Sequence, residues 1–593
     1  MSIYSSHSFS TSRLLTMNQT QAKVNTLRVG QIVSGKVLEI YPNQRAMIQL
    51  GDQQVIAQLK TALTLKNNYW FQVQENDQLL HLKVLIDQSG KQSLEKQAAA
   101  LLKQLQLPMT KENLQFIQKL IQSQITFNPR SLGQALELKQ NNIKTSMPFL
   151  LDMMAKQLPI TTSVYRSLTS VKTESIQQQL YQIYQQLQSS NQPIKDKQLL
   201  LNRIESMIYG MTSNRDMSKV VQLIQQQMNQ GDQAMLHTLK QVGLLDNHLD
   251  TTQTKEIKNQ LQSIVNQHGE NYISKKFGET FSRQLGLTDQ QMSQFKKIVE
   301  SMVHSGKNHE LQTKAQRQLQ VFLDKYHLGT RLASLFPVNE RAAFTNWRLN
   351  PEWKNIEPVL STLKSVADQQ LPQQAENKVI ELLTLTRNNV ISTKDQFLLQ
   401  LKHFLNFSGV LDEYQLAKND VVELKHNFSL KQLLLQASSA KTGESEQLIN
   451  TLNGLQLSSV QEEGAFIQTS VQLPGFLGSN QNITINMDSK KNESNQIDPD
   501  YCHIVFFLSL EKIGDTCIDM SVLNRKINLT VYNKNQEIIP LLDQLEPMLQ
   551  DGLQNKEYKL MSIQFKQFSE EIEHQLLKTK NHIVSKTGVD VRV

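Results

Sequence analysis

Apolar positions along this chain repeat with three different periods, and each period predicts a different kind of structure. Between residues 27 and 88 they fall in short runs: Ile32–Ile40, Ala46–Leu50, Val55–Leu59, Tyr69–Val73 and Leu79–Leu85. Tyr41-Pro42-Asn43-Gln44 and Gly51-Asp52 interrupt them with turn-prone residues. Five strand-length runs in so short a stretch predict a small closed β-barrel of the OB or SH3-like type. From 91 to 455 the period becomes helical, as with Ile176, Leu180, Ile183 and Leu187. From Phe466 a period of two returns. Ile467, Thr469, Val471 and Leu473 share one face, and Ile483–Met487, Cys502–Leu510, Ile518–Val522 and Ile527–Val531 follow. A helix with Ile538, Leu541, Leu542, Leu545 and Leu549 and a strand with Leu560, Ile563 and Phe565 complete the order ββ-β-β-β-α-β.

The expected fold class is therefore multidomain α+β. It comprises a small N-terminal barrel, a long all-α middle and a C-terminal domain with one helix packed on a sheet. The divisions read as a disordered tail over 1–26, the barrel over 27–88 and a helical, repeat-like region over 91–335. A hinge over 336–358 follows, where Trp347 and Trp353 sit among Asn and Pro. A second helical region (359–455), the C-terminal domain (456–568) and a tail (569–593) complete the chain. In the helical region, Leu107-Pro108-Met109-Thr110, Leu158-Pro159-Ile160-Thr161 and Leu287-Thr288 each precede a new apolar-periodic segment. Proline stops one helix and threonine caps the next; Thr288 and Gln291 have capping-box spacing. The pattern fits a degenerate repeat of helical hairpins and equally fits unrelated helices with ordinary caps.

Composition sharpens this picture in two places. The chain has 74 Gln against 22 Gly and 14 Pro, which favours helix over loop-rich structure. Charge is uneven: residues 456–593 hold 13 Lys/Arg and 18 Asp/Glu, a net of −5, so the rest of the +8 chain carries +13. That positive charge is spread thinly, unlike the clustered footprint of a nucleic-acid binder. Residues 26–87 hold six basic and five acidic side chains. Base stacking by Tyr69, Trp70 and Phe71 is thus the weaker reading, and core packing the stronger. Two cysteines rule out a disulfide scaffold and a Cys-based zinc cluster, and they suit a reducing compartment. Cys502 and Cys517 fall on opposite faces of a shared sheet, so no disulfide between them is expected.

Catalytic constellations do not emerge. Ser34-Gly35-Lys36 and Lys441-Thr442-Gly443 lack a phosphate loop around them, and none of the 13 histidines pairs with another at i, i+4. No apolar run approaches the roughly 20 residues of a membrane-spanning helix. The expectation is a non-enzymatic, cytoplasmic protein without cofactor, metal, nucleic-acid partner or membrane span.

The C-terminal module resembles the C-terminal domain of flagellar hook-length control proteins. Pro474-Gly475-Phe476-Leu477-Gly478 fits that family's Pro-x-x-Leu-Gly step between two strands. The helix with Leu541, Leu545, Leu549 and Leu553, followed by the strand Tyr558–Phe565, fits its later order. The whole layout is similar to large relatives of that family from Bacillus-like bacteria. The resemblance implies an N-terminal part exported through the flagellar type III apparatus. It also implies a C-terminal domain that docks on the cytoplasmic domain of an export-gate protein and switches the class of substrate exported. The chain departs from the pattern in its longer loop Ser489–Pro499, in Glu546 where the family helix often has a basic residue, and in its helical rather than Pro-rich middle. The partner-binding candidates are Pro474, Gly475, Phe476, Leu477 and Gly478 with the helix acids Asp543, Glu546 and Asp551. Leu545 and Leu549 are assigned to the buried stripe. The alternative function is a cytoplasmic helical scaffold using the same modules outside flagellar assembly.

Overall fold

A computed structural model describes residues 27–569, apart from 43, 51–52, 60, 62, 76–79, 88–92, 141–145, 174, 192–193, 209–216, 230, 270, 385–390, 414–427, 438–442, 464–465, 476–481, 493–496, 511 and 555. Both expected tails, apart from Ser569, lie outside the described residues. The chain divides into two compact units, one of residues 19–173 and one containing everything from 174 onward. The first division thus falls inside the segment that reads from sequence as a single helical region.

In the first unit, β1 (Ile32–Tyr41), β2 (Arg45–Leu50), β3 (Gln53–Leu59), β4 (Asn68–Glu75) and β5 (Leu80–Asp87) close a barrel in the order β1-β2-β3-β5-β4. β3 and β5 pair in parallel, and the other neighbours are antiparallel. This is the OB-type order, one of the two the runs predict. Val33, Val37, Ile48, Tyr69, Phe71 and Val73 fill the interior. Gly35 is required there: a Cβ would lie 2.4 Å from Leu50 and 2.8 Å from Ile48. Trp70 points the other way and is still fully buried, its ring 5.9 Å from that of Phe127. Phe127 pairs its backbone with Ile32 in a β-bridge just before the helix Pro129–Gln140. None of Tyr69, Trp70 and Phe71 is left to stack a base, so the core reading holds.

Three helices of this unit end in a shared way. Gln106, Gln124 and Gln157 take left-handed backbone angles, and the residue after each donates to a carbonyl five positions back. These are Schellman-type stops. Thr110 and Thr161 then cap the helices Lys111–Gln122 and Thr162–Thr173.

The second unit begins with helices from Ile176–Ser189 to Gly443–Ser458. Two clusters organise its helices among the described residues. One gathers Phe295, Leu319, Phe322, Phe336, Phe344 and Trp347. The segment read as a hinge over 336–358 is therefore corrected: it forms the helices Val338–Leu349 and Trp353–Ile356, and Trp347 is fully buried with its indole donating to Gln316 at 2.8 Å. The Asn and Pro residues there punctuate short helices; the aromatic rings decide the packing.

The other core is ionic. Lys378 Nζ lies 2.7 Å from Asp232 and 3.9 Å from Glu381, and donates to Gln227 at 3.0 Å. Glu381 also accepts from Gln227 and pairs with Arg203 at 3.2 Å. Lys402 pairs with Glu376. All six charged groups are nearly sealed from water, three of each sign.

The chain ends in a seven-stranded sheet ordered β12-β11-β10-β9-β8-β7-β6, described below. β6 (Val460–Glu463) is one strand more than the period predicts.

Two outcomes follow. Residues 27–88 made alone should lose about 3 kcal/mol or more relative to residues 27–173 in urea unfolding, since Trp70 and Ile32 would face water. Equal midpoints would show a self-sufficient barrel. Lys378→Met in the full chain should cost about 3–5 kcal/mol by leaving the buried Asp232 without its cation, read as a lower thermal midpoint.

Candidate functional site

The C-terminal module carries the candidate residues. Its strands are β6, β7 (Phe466–Leu473), β8 (Ile483–Lys491), β9 (Ile497–Leu510), β10 (Gly514–Leu523), β11 (Lys526–Asn533) and β12 (Lys559–Gln567). β8 and β9 extend toward each other until Lys491 pairs with Ile497. The expected long loop Ser489–Pro499 is corrected to a shorter connection, because Ser489 and Asp498 bond to each other within it. β10 and β11 turn through Asn524 and Arg525, both left-handed. That is the conformation a two-residue hairpin demands.

Cross-strand register sorts the side chains by face. Ile485, Met487, Ile504, Phe506, Ile518, Met520 and Leu529 share one face, and Asp488, His503, Val505, Cys517 and Asp519 share the other. Cys502 and Cys517 fall on opposite faces and form no disulfide. Burial and the nearby Asp498 and Asp500 push the Cys502 thiol up to about 11.

The helix Ile539–Gln554 connects β11 to β12, which pair in parallel. Leu549 and Leu553 rest on Val522, Ile527 and Leu560. No residue of this helix is fully buried. Leu541 is 44% exposed, Leu545 43% and Met548 70%. The assignment of Leu545 to the buried stripe is thus corrected. The leucines at helical spacing divide into two stripes about a quarter turn apart, and only one meets the sheet. Asp543, Glu546 and Asp551 are exposed on the same helix.

The Pro-Gly step is placed differently. Pro474 and Gly475 are buried, and both carbonyls accept from Gln400 Nε2, at 2.9 and 3.1 Å. They offer no open surface. Phe476, Leu477 and Gly478 lie outside the described residues. At the other end of the strands, Glu557 accepts from Arg348 at 2.9 Å, Arg525 at 3.0 Å and Thr330 at 3.3 Å, while Arg525 also holds Asp500. Burial alone would raise the Glu557 carboxyl; the two guanidinium groups hold it below its usual range. The module is therefore tied to the helical body at both ends.

One polar cluster was not foreseen. His503 Nε2 sits 2.6 Å from Asp519, and Nδ1 lies 3.8 Å from Asp488. Burial opposes its charge, yet the two carboxylates outweigh it and raise the imidazole to about 9. Its members lie on three strands, so only the pairing register could have revealed it. Among the described residues, no group of three or more His, Cys, Asp or Glu could hold a metal ion. No described helix is long and apolar enough to cross a membrane.

These features define a multidomain α+β protein whose C-terminal α+β module carries an exposed apolar stripe on its helix. The chain is similar over nearly its whole length to the uncharacterized protein YlqG of Bacillus subtilis (strain 168), with 22% identity across 97% of this chain and 96% of that protein. No family model matches the chain, and no solved structure matches it.

The raised His503 predicts a pH signature. A folded-state value above the ordinary 6.5 gives stability that is complete below about pH 6.5, declines as pH rises and is gone above about pH 9. The amount is about 3 kcal/mol at most. His503→Asn should flatten that slope in urea titrations at pH 6, 7.5 and 9; an unchanged slope would place the effect elsewhere.

Proposed function

We infer that this chain is a non-enzymatic protein akin to flagellar hook-length control proteins. Its C-terminal module docks on the cytoplasmic domain of a type III export-gate protein and influences which substrates are exported. The observation that carries the docking reading is the Leu541–Leu545–Met548 stripe, exposed on the acidic helix of the C-terminal module. Isolated exposed leucines are ordinary, whereas a contiguous stripe marks a binding surface. Asp543, Glu546 and Asp551, with no cation on the helix, favour a basic partner and an association that slows as salt rises. The contact surface of this reading is the helix, with Pro474 and Gly475 removed from it. Their engagement by Gln400 favours the second reading, a cytoplasmic helical scaffold, because the family-like step is held inside the protein.

The test is capture of an export-gate cytoplasmic domain from the same organism by the full chain. Charge reversal at Asp543, Glu546 and Asp551 should weaken capture about tenfold with little change in melting temperature. Leu541→Glu should do the same. No capture by the unaltered chain would favour the scaffold.

A further inference from the structure

Beside Glu557, where the C-terminal module meets the helical body, three cations from three separate elements come together. Lys556 stands in the turn between the helix Ile539–Gln554 and β12. Arg331 lies on the short helix Gly329–Ser334, and Lys394 in the first turn of the helix Thr393–Phe407. Hydrogen bonds made by neighbouring residues fix this meeting independently of the charges. Thr330 donates to Glu557 at 3.3 Å, which sets residues 330–331 against residues 556–557. Arg331 Nη2 donates to the carbonyls of Ser282 at 2.7 Å and Gln284 at 3.1 Å. Ser282 Oγ in turn donates to Asp395 at 3.2 Å, which brings the start of the helix Thr393–Phe407 to the same place.

Like charges gathered in this way repel, unless carboxylates are interspersed among them. Here the neighbouring carboxylates are engaged by other groups. Glu557 is held by Arg348 and Arg525, at 2.9 and 3.0 Å. Asp395 accepts from the hydroxyls of Ser282 and Ser392 and offsets one of the three charges. Among the described residues, none of the three cations has a carboxylate within 4 Å. The cost shows at Lys556, where burial, Arg331 and Lys394 together lower the ammonium to about 8. Burial lowers Arg331 as well, and Asp395 only partly opposes it. Groups in this condition are stabilised by an anion that comes between them.

We propose that Arg331, Lys394 and Lys556 form a binding site for a small phosphate-type oxyanion. Charge selects a dianion, because three cations less Asp395 leave a local net of +2. Donor number selects an ion with several oxygens. Each ammonium offers three N–H groups, and Arg331 uses Nη2 on the two carbonyls and keeps Nη1 and Nε. A tetrahedral oxyanion can accept from all three side chains at once. Access is open, since Lys394 and Lys556 are exposed and Arg331 is half-buried. A bound ion would bridge the turn of the module to two helices of the body. The attachment at this end would then strengthen with the supply of the ion.

The test is calorimetric titration of the full chain with inorganic phosphate and, separately, with glycerol phosphate, at an ionic strength fixed with chloride. Phosphate should bind saturably and raise the thermal midpoint above that of the chloride control. Equal binding of the ester would assign the site to a phosphate group on a larger molecule as well as to the free ion, and weaker binding to the free ion alone; both support the proposal. Lys394→Gln combined with Lys556→Gln should weaken binding about tenfold. In chloride alone the same double variant should melt no lower than the unaltered chain, because it removes repulsion and breaks no ion pair. Three results would each overturn the proposal: no saturable binding of either probe, binding that the double variant leaves unchanged, or an equal loss from Lys255→Gln with Lys258→Gln on the distant helix Thr254–His268, which would mean general screening only.

Discussion

The helical body depends on a balance of buried charge. Arg203, Lys378 and Lys402 stand against Asp232, Glu376 and Glu381, which come from helices far apart in the chain. Ions removed from water cost several kcal/mol each unless their partners are in place. Each helix is therefore held to one position and one rotation, since sliding by a turn would strand a charge. Leucine packing alone would tolerate such slippage. Arg203 also stacks 4.3 Å from the centre of the Phe407 ring, which carries the same constraint into the apolar core.

The abundant glutamine has a related use. Gln284 and Gln370 clamp two chain segments reciprocally: Gln370 accepts from Leu285 N–H at 2.7 Å, and Gln284 accepts from Leu371 N–H at 2.8 Å. An amide can donate and accept at once, so one side chain satisfies both kinds of orphan group at a helix end. Gln316 accepts from the buried Trp347 indole. Part of this glutamine-rich composition is therefore internal wiring.

Much of the architecture was legible in the pattern of apolar positions. Period two marked the barrel strands and all but one strand of the sheet, because each buries a defined face. The failures share a cause. Gln106, Gln124 and Gln157 end helices in a conformation associated with glycine, and Asn524-Arg525 turns a hairpin without one. Tertiary contacts hold these angles, and nothing local announces them. Leu541 and Leu545 were indistinguishable from Leu549 and Leu553, since helical spacing reveals a stripe but not its width or partner. The clamp of Gln400 on Pro474 and Gly475 joins residues far apart in sequence, and the His503 cluster needed the register of three strands.

The parallel pairing of β11 with β12 sets an order of assembly. Every other neighbouring pair in this sheet is antiparallel, and hairpins join β9, β10 and β11 directly. β12 can join only after the intervening helix has folded back, so it closes a longer loop than its neighbours do. During translation it also leaves the ribosome after every other described strand. Until it docks, β11 presents an unpaired row of amides and carbonyls, and a nascent chain in that condition can template a foreign strand. The interval before β12 arrives is the period in which the β11 edge of this sheet is open to pairing with another strand.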